Sequence, residues 1–84
     1  MTNWEKHPPN KIINPHADYF LQKKVGEQSL NIYVYGDSAV IEAQIEVGEK
    51  TANLQLFSYK SDEIDIMEKG MLALIKEKTA QLLT

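Results

Sequence analysis

The sequence predicts an α+β fold in which a three-stranded antiparallel meander is covered on one face by two helices, in the order α-β-β-β-α. The stretch 29–59 is divided by Gly36-Asp37 and Gly48-Glu49. Glycine before a polar residue suits a two-residue hairpin turn, which needs positive φ at its first position. Between these turns apolar and polar residues alternate, as in half-buried strands, and the flanking segments repeat apolar residues at helical spacing.

The two turns can be checked against each other, because a one-residue slip would exchange the two faces of a strand. The first turn places Ile32 opposite Ile41 and Leu30 opposite Ala43. The second places Ile41 opposite Leu56, Ala43 opposite Leu54 and Ile45 opposite Ala52. Both turns therefore put apolar residues on one face, and this agreement predicts the register.

The opposite face is predicted to be polar at one end and aromatic at the other. Its polar residues are Asn31, Glu42, Gln44, Glu46, Asn53 and Gln55. Tyr33, Val40 and Phe57 fall in one row across the three strands, with Tyr35 and Tyr59 beside it. Contiguous exposed apolar surface often marks an interface, and Tyr and Phe are enriched at interface cores. We therefore expect these residues, with Trp4, to bind a partner; the alternatives are cover by the N-terminal arm and plain exposure.

Residues 1–13 are expected to form a flexible N-terminal arm, followed by a single α+β domain over residues 14–84. Pro8 and Pro9 stiffen the arm as an extended segment. The alternative is that Trp4, Ile12 and Ile13 dock on the domain or on a partner. His7 and His16 are interpreted as surface residues, because zinc usually takes three or four protein ligands.

Residues 14–26 carry helix signals, and a helix is the favoured interpretation. Asn14 can cap the helix and Pro15 suits its first position, while Gly26 suits the C-terminal cap. Apolar residues at helical spacing are Ile13, Ala17, Phe20, Leu21 and Val25. The rival interpretation is a fourth strand ending at a Gly26-Glu27 turn, since Tyr19, Leu21 and Val25 also alternate.

The segment from Ser61 to Leu83 is the clearest predicted helix. Acidic residues crowd its first turns, where they complement the helix dipole. The apolar stripe consists of Ile64, Met67, Met71, Leu74, Ile75 and Leu82. Gly70 weakens the helix and can mark close packing.

Composition narrows the function classes. The 84 residues contain no cysteine and no long apolar run, and residues 1–10 do not resemble a signal peptide. We therefore expect a cytoplasmic location and no membrane association. The net charge is −3 and all nine basic residues are lysine. Without arginine, which suits phosphate and base recognition, nucleic-acid binding is not expected.

Residue patterns of known catalytic chemistry are absent from the sequence. It has no glycine-rich phosphate loop, metal-ligand spacing or nucleophile elbow, so no catalytic, cofactor or metal residue is predicted. The cluster Asp62, Glu63, Asp65 and Glu68 is interpreted as a helix N-terminus rather than a cation site. Glu42 and Glu46 are interpreted as a solvated strand face.

The predicted order of helix, three strands and helix, starting at Asn14-Pro15, resembles that of double-stranded RNA-binding domains. Such domains bind RNA through the loop after the first strand and a lysine-rich entry to the last helix. Here the loop is the tight Gly36-Asp37 turn and the helix entry is acidic, at Ser61-Asp62-Glu63. The resemblance therefore implies the layout alone, and no binding residue is carried over.

Together these features predict a small non-enzymatic module that binds protein, both as a homo-oligomer and with a partner. An inhibitor or accessory factor of a phage or mobile element fits them. The alternative is a single-stranded nucleic-acid-binding protein that stacks bases on the same aromatic face.

Overall fold

The computed structural model describes residues 4–8, 12 and 15–83, and these form an antiparallel sheet with a helix on one face. The strands are β1 (Glu5–His7), β2 (Tyr19–Val25), β3 (Gln28–Tyr35), β4 (Ser38–Val47) and β5 (Lys50–Lys60). They pair in chain order, β1-β2-β3-β4-β5. The single described helix, α1, spans Ile64–Leu83.

The predicted registers are confirmed. Ile41 lies opposite both Ile32 and Leu56, and Ile45 lies opposite Ala52. Gly36 and Gly48 have φ of 60° and 63°, as the hairpin turns require. The turn residues and the apolar alternation together determine this part of the sheet.

The predicted helix over residues 14–26 is wrong, and the rival four-stranded meander with a C-terminal helix is confirmed. Residues 19–25 form β2, and Gly26 has φ of 62° in the turn to β3. Tyr19, Leu21 and Val25 then lie on the face that α1 covers. Pairing with β3 overrides the local helix signals, because the pairing buries Leu21 against the core. The resemblance in element order to RNA-binding domains is lost with that helix.

Within the predicted N-terminal arm, residues 5–7 pair with β2 as a fifth strand, β1. Residues 1–3, 9–11 and 13–14 lie outside the described residues. The flexibility predicted for residues 1–13 stays a prediction.

The core lies between the sheet and α1, whose backbone packs against β4 and β5. Large side chains that are fully buried there include Leu30, Ile32, Ile41, Ile45, Met67 and Met71. The apolar stripe predicted for the last helix therefore faces the sheet, although the helix begins at Ile64 rather than Ser61. No helix among the described residues is long and apolar enough to cross a membrane.

The candidate binding face

The outer face of the sheet, opposite α1, carries a row of side chains that runs across all five strands. Strand pairing aligns His7 with Phe20, Phe20 with Tyr33, and Tyr33 with Val40, and Phe57 continues the row on β5. We call His7, Phe20, Tyr33, Val40 and Phe57 the aromatic row. The His7 and Phe20 rings are stacked at 5.0 Å between centroids, and the Phe20 and Tyr33 rings are tilted at 5.9 Å.

The members of the row differ in exposure. Tyr33 is buried within the chain at 9% exposure, whereas Phe57 is 60% exposed and is the largest apolar group left open on this face. His7, Phe20 and Val40 are half-buried. The row is therefore partly packed against itself, and its open end lies at β5.

Tyr33 is fixed by a carboxylate on the same face. Its hydroxyl donates to Glu42 Oε1 at 2.8 Å, and Gln55 Nε2 donates to Glu42 Oε2 at 3.3 Å. Burial, followed by the hydrogen bond to the Glu42 carboxylate, raises the pKa of Tyr33 to about 12. The phenol therefore stays protonated at neutral pH and links the row to the polar half of the face.

The polar half forms a depression of about 590 Å³ beside the row. Its lining includes Asn31, Glu42, Gln44, Glu46, Asn53 and Gln55, the polar residues predicted for this face. Gln22, on the neighbouring strand β2, donates to Asn31 Oδ1 at 2.9 Å. These amide and carboxylate groups can donate and accept hydrogen bonds at the side of an apolar contact.

The structure brings together Tyr33, Val40, Phe57 and Tyr35 on the outer face, as predicted, and moves Tyr59 to the other face. Ala39 pairs with Tyr59 and Ile41 with Leu56, so two residues of β5 stand opposite Val40. This bulge reverses the faces beyond Phe57. Tyr59 then packs against the core, and the placement predicted for it beside the row is wrong.

Trp4 also lies on the helix-covered face, where it packs against the core. Its indole Nε1 donates to Glu68 Oε1 at 3.3 Å, and Glu68 Oε2 accepts from Lys23 Nζ at 2.6 Å. Docking on the domain is therefore the interpretation of Trp4 that the structure supports, and the residue does not join the aromatic row.

Sequence reasoning missed His7 and Phe20 as members of the row. Phe20 was assigned to a helix and His7 to the arm. The sequence feature that locates Phe20 is the pair Gly26-Glu27. If this pair forms a two-residue hairpin turn, Phe20 lies opposite Tyr33. The described residues contain no group of three or more His, Cys, Asp or Glu side chains placed to hold a metal ion.

Comparisons of the chain with protein-family models, with curated proteins and with solved structures find no match.

Proposed function

We propose that the protein is a non-enzymatic protein-binding module and that the outer face holds its partner. One observation carries the proposal: α1 covers one face of the sheet, while the other presents an aromatic row that ends in the 60% exposed Phe57. Aromatic side chains with a polar surround are the composition of an interface core and its rim. An inhibitor or accessory factor acting in the cytoplasm is the role that fits such a module.

The layout of the face supports a protein partner of mixed character. Phe57 and the half-buried Val40 and Phe20 offer apolar contact area that does not have to be uncovered first. The depression beside them offers amides and carboxylates for hydrogen bonds. A partner that places an apolar side chain against Phe57 and a polar segment in the depression would use both halves.

Single-stranded nucleic acid is the alternative occupant, since aromatic side chains on open sheets can stack on bases. Tyr33 cannot stack freely, because it is buried and its hydroxyl is held by Glu42. The carboxylate of Glu42 borders the row, and that of Glu46 lines the depression, and both would repel phosphates. Both features favour protein over nucleic acid.

Site-specific photo-crosslinking in the cells that express the protein tests the proposal. A benzoylphenylalanine is placed at Phe20 or Phe57 on the outer face, and at Lys76 on the exposed side of α1 as the matched control. We expect one discrete protein adduct from both Phe20 and Phe57 and none from Lys76. No protein adduct, equal adducts from all three positions, or a nucleic-acid adduct from the outer face would contradict it.

A further inference from the structure

The outward edge of β5 is long, and no other strand among the described residues pairs with it. β5 is the terminal strand of the sheet and spans eleven residues, whereas β1 at the other edge spans three. Residues 51–59 carry no charge, although charged side chains are a usual protection of sheet edges. Among the described backbone hydrogen bonds that lie outside the helix and the strand ladders, none involves residues 50–59.

Hairpin geometry identifies the backbone groups that point out from this edge. The residues flanking a two-residue turn, here Val47 and Lys50, form a hydrogen-bonded pair, and the following pairs alternate. Gln44 and Asn53 are therefore a pair that exchanges no backbone hydrogen bonds. The N–H and C=O groups of Asn53 point away from β4, as do those of Thr51 and Gln55.

We propose that two copies of this chain join through antiparallel pairing of their β5 edges, about a two-fold axis at Leu54. The bulge after Phe57 limits the regular edge, and the window 51–57 is centred on Leu54. This register pairs Asn53 of one copy with Gln55 of the other. A register centred on Gln55 would pair only residues 53–57 of this regular edge and would form fewer backbone hydrogen bonds.

The helix supports a second copy as the occupant. Glu68 contacts Lys23 on β2, whereas a Cβ at Gly70 would meet Tyr59 and Leu56 of β5, so Gly70 lies on the side toward the open edge. Ile66 lies one turn before Gly70 on that same side and is 54% exposed. An isolated chain leaves this isoleucine in water.

The two-fold axis brings these helix sides together. The backbone of α1 packs on β4 and β5, and strands lie about 4.8 Å apart, so the two helices would be about 10 Å apart. This is about the distance at which helices pack, roughly 8–10 Å. Ile66 of each copy then gains an apolar neighbour on the other helix.

The pairing of the two β5 strands and the packing of the two helices agree on one position for the two-fold axis. Lys50 Nζ donates to the Leu82 carbonyl, and Gly70 lies against Leu56, so α1 runs antiparallel to β5. At about 3.3 Å per strand residue and 1.5 Å per helix residue, the position above Leu54 is about one helical turn beyond Gly70. Packing about that point places Gly70, which has no side chain, in the contact between helices.

Sedimentation velocity over a concentration series tests the pairing with two matched double variants. The first variant, Asn53→Lys with Gln55→Lys, places a lysine of one copy opposite a lysine of the other at two positions in the dimer. Within each chain, both lysines lie near the carboxylates of Glu42 and Glu46. Asn53→Glu with Gln55→Lys puts opposite charges together. We expect the wild type and the second variant to dimerise, and we expect the dimer of the first variant to have a dissociation constant about thirtyfold higher.

Circular dichroism checks that each variant is folded. The variant Asn53→Pro tests the same edge without adding a charge, because it removes an outward-pointing N–H and leaves the hydrogen bonds to β4 intact. A monomeric wild type at every concentration overturns the proposal. So does a two-lysine variant, or a folded Asn53→Pro variant, that dimerises as tightly as the wild type. Val40→Glu, on the outer face of β4, should leave the dimer unchanged. Dissociation by Val40→Glu alone would mean that the dimer uses the outer face, which overturns the edge pairing and leaves the proposed function standing.

Discussion

The two faces of the sheet are made from alternate residues of the same strands, yet they have different roles. On the helix-covered face, Ile32, Ile41 and Ile45 have no exposed surface. On the outer face, neighbours in the same strands form the aromatic row and the polar depression, and Phe57 stays open to solvent. The difference teaches that the burial of large side chains is concentrated on one face, and the binding role proposed for the other face starts from this asymmetry.

The largest expected effect separates the two faces directly. Replacing Ile41 by Ala opens a cavity beneath α1 and should lower the free energy of unfolding by about 2–5 kcal/mol. Replacing Phe57 by Ala should change it by less than about 1 kcal/mol, because the ring is 60% exposed. Urea unfolding measures both. Equal losses would mean that the outer face is part of the core.

The second effect concerns how the N-terminal segment is held on the helix-covered face. Glu68→Ala removes the acceptor of both Trp4 and Lys23. Because the Lys23 side chain is only 18% exposed, the loss should lower the free energy of unfolding by about 1–3 kcal/mol. The fluorescence of Trp4, the only tryptophan, should shift to the red. Glu77→Ala, at an exposed position of α1, is the control and should change neither quantity. An unshifted emission in the Glu68 variant would contradict the contact.

The third effect tests the buried group of the outer face. Tyr33 has its pKa raised from 10.0 to about 12, so its contribution to stability is fully present below pH 10 and is lost as the pH rises toward 12. In an absorbance titration of the four tyrosines, one should ionise late. Tyr33→Phe should remove that late step and lower the free energy of unfolding by about 1 kcal/mol. A late step that persists in the variant would assign it to another tyrosine.

The smallest effect tests the bulge that places Tyr59 under the helix. A Cβ at Gly70 would lie 3.1 Å from Tyr59 Oη and 3.3 Å from Leu56 Cδ1. The helical preference for Ala over Gly, up to about 1 kcal/mol, should therefore be partly cancelled in Gly70→Ala. This gain in stability should be recovered more fully in the double variant that combines Gly70→Ala with Tyr59→Phe. Additive effects in this double-mutant cycle would place the Tyr59 hydroxyl elsewhere.

The sequence predicted the elements whose signals agree with one another. Between residues 29 and 57 the turn glycines and the alternation gave the same register, and the structure confirms it. The helix stripe around Met67 and Met71 was predicted for the same reason. Where local signals conflicted, at residues 14–26, the helix was preferred and the strand was found.

The remaining errors come from features without a local signal. The bulge after Phe57 contains no glycine that would mark it, so Tyr59 was assigned to the wrong face. The hydrogen bond from Trp4 to Glu68 joins residues 64 positions apart, and only the folded sheet brings them together. The aromatic row was predicted in part, because three of its members lie on the strands whose register was predicted correctly.

The most direct measurement of the central claim is the adduct yield from a photo-crosslinker at Phe20 in cells, with and without Phe57→Glu. Phe20 lies on β2, three strands from β5, so it reports on the outer face rather than on the β5 edge. The account predicts a discrete protein adduct that is lost in the Phe57→Glu variant, while the thermal unfolding midpoint of that variant stays close to the wild type. An undiminished adduct, or a variant that unfolds, would contradict the division of the sheet into a stabilising face and a binding face.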